Sequence, residues 1–260
     1  MKIKMIVCDL DKTLLRTDKT LSAYTLEVLK KCRDSRERLL AYATARPKIV
    51  ASPFADVTKP DIIISDNGAL ARMGDDVIHR AVLPRETVDK ILHILQSKTN
   101  GKPGFITAST DHGLLINYDI DPNDEGWADW QPIYTDFSAG IDYDLYKISP
   151  EISDAGMLDE IITLPGITYT PYFGENWGTI TIKGVTKWQA IQKVAEHLNI
   201  DIKHIVAFGD DFGDIEMIKG CGIGVAVGNA IPEAKAAADY ICESNDDDGV
   251  ARWLEEKILC

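Results

Sequence analysis

Residues 2–13 read KIKMIVCDLDKT, an apolar run typical of a buried strand that ends in two acidic residues. Alternation along an extended chain points Asp9 and Asp11 to the same side. The carboxyl end of a buried strand is also where open α/β sheets place their ligand sites. Two like charges this close are costly unless a cation or a shared proton stabilises them. The stretch therefore indicates a divalent metal site, or a carboxylate nucleophile beside a carboxylic acid. Two solvated aspartates at a polar strand end are the alternative.

The composition is that of a globular enzyme. The chain has 260 residues, 45% of them apolar and 8% aromatic, which is enough for one large domain or two modest ones. A net charge of −13 argues against nonspecific binding to nucleic acid or to an anionic membrane. Five scattered cysteines and the absence of a signal peptide predict free thiols and a cytoplasmic location. No apolar run approaches the length of a membrane span. The sequence gives no indication of the oligomeric state.

The pattern of strands and helices changes twice along the chain. Residues 1–83 and 184–260 alternate strand and helix with short connections, which predicts right-handed crossovers and a mostly parallel, doubly wound sheet of Rossmann-like type. In residues 84–183 helices and strands are segregated differently, as in an α+β domain. We therefore expect an α/β core into which an α+β domain is inserted.

Thr44-Ala45-Arg46 follows the second predicted strand and precedes a helix. A hydroxyl and a free backbone N–H at a helix start can bind a phosphate, although Thr44 could equally be an ordinary helix cap. Arg46 could contact a substrate phosphate or fix the loop, and the second role is favoured.

Two further motifs follow the insert. Lys187 opens a helix, where its charge opposes the helix macrodipole, so its presence indicates an anionic partner. A solvated surface lysine is the alternative. Residues 209–214, GDDFGD, follow an apolar strand, which places Asp210 beside Asp9 at the carboxyl edge of the sheet. Oxygen ligands of this kind suit Mg²⁺. Asp211 is expected to cap a helix or to be solvated.

In this order, DLDKT (9–13), TAR (44–46), GVTK (184–187) and GDDFGD (209–214) resemble the four motifs of the haloacid dehalogenase superfamily. The resemblance covers nearly the whole chain and is strongest to the Cof-like sugar-phosphate phosphatases, which carry a large inserted α/β cap. It implies a Mg²⁺-dependent phosphatase that hydrolyses small phosphorylated metabolites, above all sugar phosphates, through an aspartyl-phosphate intermediate.

The resemblance also implies a role for each motif residue. Asp9 is the nucleophile, Asp11 transfers protons, and Lys187 holds the phosphoryl group and the nucleophile. The substrate phosphate is bound by Leu10, Thr44, Ala45 and Lys187. Mg²⁺ is bound by the side chains of Asp9 and Asp210 and by the main-chain carbonyl of Asp11. Asp214 supports Lys187 or a metal-bound water, and the Thr13 hydroxyl is expected to bond nearby backbone.

Three residues depart from the usual family pattern: Ala45 and Trp188 replace glycines, and Gly213 replaces an asparagine. Within the insert, aromatic residues are candidates to stack on a sugar ring, although most are expected in the core of the insert: Trp127, Trp130, Tyr172, Phe173 and Trp177.

Two rival functions stay open. A sugar phosphomutase is the alternative among enzymes. A non-catalytic phospho-acceptor or phosphate-binding module, like a receiver domain, is the alternative of another class. The second acid, Asp11, and the large insert argue against the phospho-acceptor. The sequence does not identify the substrate.

Overall fold

The structure, a computed structural model, describes residues 2–34, 38–97, 104–119, 132–172 and 176–259. Its contacts define two compact units. The first unit comprises residues 1–46, 54–80 and 186–260, and the second comprises residues 47–53 and 81–185. Residues 47–53 thus group with the second unit, whereas the sequence pattern assigned them to the first.

The strands, in chain order, are β1 (Met5–Cys8), β2 (Leu39–Ala43), β3 (Ile62–Ser65), β4 (Leu70–Met73), β5 (Asp76–Arg80), β6 (Ile106–Thr110), β7 (Gly113–Ile116), β8 (Ile133–Tyr134), β9 (Lys147–Pro150), β10 (Ile167–Pro171), β11 (Gly178–Ile182), β12 (Ile205–Gly209), β13 (Ile223–Ala226) and β14 (Tyr240–Ile241). The α-helices are α1 (Ala23–Asp34), α2 (Lys48–Thr58), α3 (Arg85–Ser97), α4 (Ala155–Ile162), α5 (Lys187–His197), α6 (Ile215–Gly220), α7 (Pro232–Ala237) and α8 (Gly249–Leu254).

The first unit contains an eight-stranded sheet with the order β14-β13-β12-β1-β2-β3-β4-β5. From β14 to β3 neighbouring strands are parallel, and β3, β4 and β5 form antiparallel pairs at one edge. Every residue of the central strands β1 and β12 is buried, as expected for parallel strands that are covered on both faces. The predicted doubly wound, mostly parallel core is confirmed.

Helix α5 shows how sequence periodicity produces this packing. Its apolar residues Ala190, Ile191, Val194 and Ala195 recur at helical spacing and are buried in one cluster with residues of β1, β2 and β12. Thr186 caps the start of the helix, because its Oγ1 accepts the N–H of Gln189 at 3.1 Å. The cap fixes the start of α5 at Lys187.

The second unit contains a six-stranded sheet with the order β10-β11-β9-β6-β7-β8. Its pairs are antiparallel except for β7 with β8. Helices α3 and α4 pack on this sheet in one buried apolar cluster, which contains Ile91 and Leu95 of α3, Ile161 of α4, and Ile148 and Ile180 of the sheet. This unit has the α+β organisation expected of the insert. Among the described residues, no helix is both long and apolar enough to cross a membrane.

Candidate active site

The site is built at the carboxyl edge of the parallel sheet. Strands β12 and β2 flank β1, and both run parallel to it. Asp9 follows β1, Asp210 follows β12 and Thr44 follows β2. Since parallel strands end at the same edge, the sheet itself brings these polar side chains together. Asp9 and Asp210 are 201 positions apart in the sequence.

Lys187 connects two carboxylates at this edge. Its Nζ donates to Asp9 Oδ1 at 2.6 Å and to Asp214 Oδ1 at 2.7 Å. All three side chains are buried. Burial alone lowers the pKa of Lys187, but the charges of Asp214 and Asp9 outweigh it and raise that pKa above its usual value. Lys187 is therefore a fixed cation beside Asp9.

Asp214 is held by the turn that follows β12. Its Oδ2 accepts the N–H groups of Asp210, at 3.0 Å, and of Asp211, at 3.2 Å. A Cβ on Gly209 would lie 2.4 Å from the Cβ of Asp214, so the close packing here requires glycine. Asp211 accepts the N–H of Phe212 and caps the following turn, as predicted.

Three carboxylates form a cluster at the site. Asp9, Asp210 and Asp214 each offer an oxygen within 4.8 Å of the others. Burial raises the pKa of Asp9 well above its usual value; Lys187 opposes this rise, and Asp214 and Asp210 add to it. Burial and the Asp214 charge raise the pKa of Asp210 to about 7, although the hydrogen bond from Thr13 opposes them. The cluster therefore has more negative charge than Lys187 balances.

This donor set fits a divalent cation. The cluster supplies buried carboxylate oxygens, which hard cations such as Mg²⁺ prefer. A bound cation would also oppose the effects of burial and of the neighbouring carboxylates, which raise the pKa of Asp9 and Asp210. The sequence counted Asp214 as a supporting residue, and the structure brings its carboxylate into the cluster itself.

Asp11 lies outside that cluster of side chains. Its carboxylate accepts two hydrogen bonds from Arg46, from Nε at 2.7 Å and from Nη2 at 2.5 Å. The expectation for metal binding concerned the Asp11 main-chain carbonyl and stays a prediction.

One expectation was wrong: the Thr13 hydroxyl donates to Asp210 Oδ1 at 2.8 Å instead of bonding nearby backbone. Thr13 reaches Asp210 because the turn after β1 lies beside the end of β12.

The residues expected to bind the substrate phosphate follow β1 and β2. Leu10 and Thr44 are fully buried, and Ala45 is half-buried. Thr44 Oγ1 accepts the N–H of Arg46 at 3.1 Å, which tightens the turn into α2. The phosphate-binding roles of these residues stay predictions.

Two loops contact the predicted motifs, and the sequence gave them no catalytic role. Asn67 donates its N–H to the carbonyl of Thr44 at 3.2 Å, and a Cβ on Gly68 would lie 2.2 Å from the carbonyl oxygen of Thr186. In the second loop, Asn229 Nδ2 donates to the carbonyl of Lys12 at 2.7 Å. The sequences of the two loops, DNGA (66–69) and VGNA (227–230), were the available signal, because Asn and Gly next to a strand indicate a turn.

Trp188 and Gly213 can be placed despite their departure from the family pattern. The Trp188 ring packs against Gly220, where an added Cβ would lie 2.6 Å from the ring. A Cβ on Gly213 would meet no atom within 4 Å. Trp188 thus packs in the first unit, and Gly213 has open space around it.

Of the aromatic residues proposed to contact a sugar, Trp127, Trp130 and Phe173 lie outside the described residues. The Trp177 ring stacks on Phe105, with ring centroids 6.5 Å apart. The Tyr172 hydroxyl lies 3.5 Å from Ser149 Oγ.

The fold and the site define a hydrolase of the haloacid dehalogenase type. Residues 6–254 match the family of haloacid dehalogenase-like hydrolases, so the chain belongs to that family. This confirms the resemblance found in the sequence and the expectation of a haloacid dehalogenase-like phosphatase.

Similar proteins agree with this assignment. The chain is 27% identical to 5-amino-6-(5-phospho-D-ribitylamino)uracil phosphatase YitU of Bacillus subtilis (strain 168), over 97% of this chain and 96% of that protein. A haloacid dehalogenase-like hydrolase from Bacteroides thetaiotaomicron has a crystal structure that is 28% identical and covers 98% of this chain and 99% of its own, with a TM-score of 0.85. The sugar phosphatase BT4131, of subclass IIB, shares the fold at 24% identity, 97% and 98% coverage and a TM-score of 0.83.

Proposed function

We propose that this chain is a Mg²⁺-dependent phosphatase that hydrolyses small phosphorylated metabolites, with sugar phosphates as the preferred class, through an aspartyl-phosphate on Asp9. The observation that carries the proposal is the buried contact of Lys187 with Asp9 beside Asp210 and Asp214. A carboxylate nucleophile held by a fixed cation is what phosphoryl transfer to an aspartate requires.

The three catalytic residues have different tasks in the proposed reaction. An oxygen of Asp9 attacks phosphorus, and the bond to the leaving oxygen breaks while Asp11 gives that oxygen a proton. Asp11 then takes a proton from water, which attacks phosphorus and releases phosphate from Asp9. Lys187 stabilises the negative charge of the phosphoryl oxygens in both steps.

Asp9, Asp210 and the main-chain carbonyl of Asp11 would hold Mg²⁺, and Asp214 would keep Lys187 in place. When bound, Mg²⁺ supplies positive charge that neutralises the phosphoryl oxygens. We assign to Leu10, Thr44 and Ala45 the binding of the same phosphate.

We further propose that residues 1–83 and 184–260 form the catalytic domain and that residues 84–183 form a cap that selects the substrate. The name of one relative supports a hydroxylated substrate for the cap. YitU, the relative from Bacillus subtilis, is named for a substrate that carries its phosphate on a ribityl group.

The proposed partner is a small phosphorylated molecule, and neither nucleic acid nor a membrane, in keeping with the net charge of −13. A cytoplasmic location is part of the proposal. It is supported by the four described cysteines, which are at least partly buried and are not joined by disulfides.

The experiment is to measure phosphate release from a panel of sugar phosphates, sugar-alcohol phosphates and an aryl phosphate, with Mg²⁺ and with a chelator. The proposal predicts Mg²⁺-dependent release that the Asp9→Asn variant lacks. A mutase would instead convert one sugar phosphate into an isomer without net release. Absence of release from every compound, with Mg²⁺ present and the protein folded, would reject the proposed activity.

A further inference from the structure

Arg46 makes a bidentate contact with the carboxylate of Asp11. The guanidinium donates from Nε to Asp11 Oδ2 at 2.7 Å and from Nη2 to Asp11 Oδ1 at 2.5 Å. Two parallel bonds of this kind fix the plane of a carboxylate as well as its position. The Arg46 side chain is 8% exposed and that of Asp11 is 46% exposed. The buried partner is thus the arginine.

Arg46 is itself held from several sides. Its N–H donates to Thr44 Oγ1 at 3.1 Å, and its carbonyl accepts the N–H of Asp66 at 3.0 Å. Its guanidinium lies 4.9 Å from the ring centroid of Phe54 in α2, within the range of a cation–π contact. Arg46 therefore offers Asp11 a guanidinium that is supported by an anchored main chain and by the Phe54 ring.

Asp11 has little else to orient it. It lies in the turn after β1, next to Lys12, whose φ of +56° is left-handed. Among the described residues, Arg46 is the only side chain that hydrogen bonds the Asp11 carboxylate. A half-exposed aspartate without such a partner would move among its staggered rotamers.

We infer that Arg46 is a positioning residue that orients the proton-transferring carboxylate of Asp11. The inference rests on the proposed phosphatase function. When Asp11 gives its proton to the leaving oxygen, the bond from phosphorus to that oxygen breaks and Asp11 becomes a carboxylate. The two guanidinium donors then hold that carboxylate in place until it takes a proton from the attacking water. Arg46 would act through Asp11 and would not need to touch the substrate phosphate.

The test compares two substrates that need the proton to different degrees. Alkyl phosphates have poor leaving groups and depend on proton donation, whereas an aryl phosphate with an acidic phenol depends on it much less. Arg46→Lys keeps the positive charge but removes the two parallel hydrogen bonds to the Asp11 carboxylate. We expect it to lower kcat/KM for an alkyl phosphate by about 10- to 100-fold, a part of what general acid catalysis contributes. We expect kcat/KM for the aryl phosphate to change far less, because kcat/KM reports the steps up to release of the phenol and not the later attack of water.

Two comparisons separate positioning from phosphate binding. In an Asp11→Asn background, adding Arg46→Lys should not change the alkyl-to-aryl ratio further, because the group that Arg46 orients is already lost. Arg33→Lys is the matched control, since the Arg33 guanidinium also donates a hydrogen bond within the first unit, to the backbone carbonyl of Thr58, but lies outside the site. Equal losses for both substrates with a raised KM, or an undiminished effect in the Asp11→Asn background, would overturn the inference.

The design also separates this inference from the proposed function. Wild-type enzyme that hydrolyses neither substrate rejects the proposed function, and the inference with it. Active wild-type enzyme whose substrate ratio is unmoved by Arg46→Lys rejects the inference alone. If Arg46→Lys does not fold, Phe54→Leu replaces it in the test. This variant removes the aromatic ring that contacts the guanidinium but keeps both guanidinium donors to Asp11. It should shift the ratio in the same direction by a smaller factor, and an unchanged ratio would contradict the inference.

Discussion

Asp9 is the residue on which the proposed chemistry depends, because the same carboxylate would be both nucleophile and metal ligand. Asp9→Asn keeps the shape of the side chain but removes its negative charge. We expect turnover to be lost while the fold is retained, as measured by phosphate release and by circular dichroism. Near-normal activity in a preparation free of contaminating phosphatase would contradict the assignment of the nucleophile.

Lys187 gives a second prediction at the scale of the residue. Lys187→Ala removes the cation that contacts Asp9 and Asp214. We expect weaker substrate binding, slower transfer and a loss of about 2–4 kcal/mol of transition-state stabilisation, by analogy with single electrostatic contacts in other active sites.

Lys193→Ala is the matched control for that measurement. Lys193 lies on the same helix, but its side chain is 58% exposed and pairs with Glu196 at the surface. Its kcat/KM should stay close to that of the wild type. If the two variants have the same kinetics, Lys187 is not part of the catalytic machinery.

At the scale of the element, the start of α5 depends on the loop that follows β3. Gly68 has a φ of +102°, and a Cβ there would lie 2.2 Å from the carbonyl oxygen of Thr186. Gly68→Ala should therefore displace the N-cap of the helix that begins with Lys187. We expect a lower melting temperature and a lower kcat/KM.

Gly74 supplies the comparison for this prediction. It also has a positive φ, +59°, but a Cβ there would meet no atom within 4 Å. Gly74→Ala should cost only the left-handed backbone penalty, about 1–2 kcal/mol, with kcat/KM unchanged. An equal loss of stability and activity in the two variants would show that the contact with Thr186 is unimportant.

The sequence predicted elements better than it predicted contacts. Strands β1 and β12 were recognisable because parallel strands buried on both faces are apolar at every position. Strand β8 lies in a stretch without periodicity, so its pairing with β7 depends on tertiary packing alone.

Within the site, strand ends were predictable and side-chain partners were not. Parallel pairing puts Asp9 and Asp210 at one edge whatever the loops do. The hydrogen bond from Thr13 to Asp210 spans 197 positions of sequence, and the bidentate contact of Arg46 with Asp11 spans 35. Both contacts depend on the geometry of turns. No local pattern encodes such turns, and this is why the expected backbone partner of Thr13 was wrong.

At the scale of the whole molecule, the excess negative charge of the site should couple metal binding to stability. A ligand that binds only the folded protein stabilises it by about 2.7 kcal/mol at 100 times its Kd. We therefore expect Mg²⁺ to raise the melting temperature by several degrees, since about 2–4 °C per kcal/mol is usual at this size. Asp210→Asn should reduce that rise.

The exposed Asp75, in the turn between β4 and β5, provides the control, because Asp75→Asn makes the same chemical change at the opposite edge of the sheet from the carboxylate cluster. The melting temperature of the Asp75→Asn variant should rise with Mg²⁺ as much as that of the wild type. If Asp75→Asn and Asp210→Asn respond identically, the metal does not bind at the carboxylate cluster.

The central claim is that phosphate is transferred to Asp9, and trapping that intermediate tests it most directly. Asp11→Asn should slow the attack of water while an aryl phosphate still reacts, because its leaving group needs little proton donation. The variant would be mixed with an aryl phosphate and Mg²⁺, quenched rapidly and digested for peptide mass spectrometry. We predict a phosphoryl group on the peptide that contains Asp9, and on Asp9 itself. Release of phenol and phosphate at equal rates, with no phosphorylated Asp9 at any time, would contradict the mechanism.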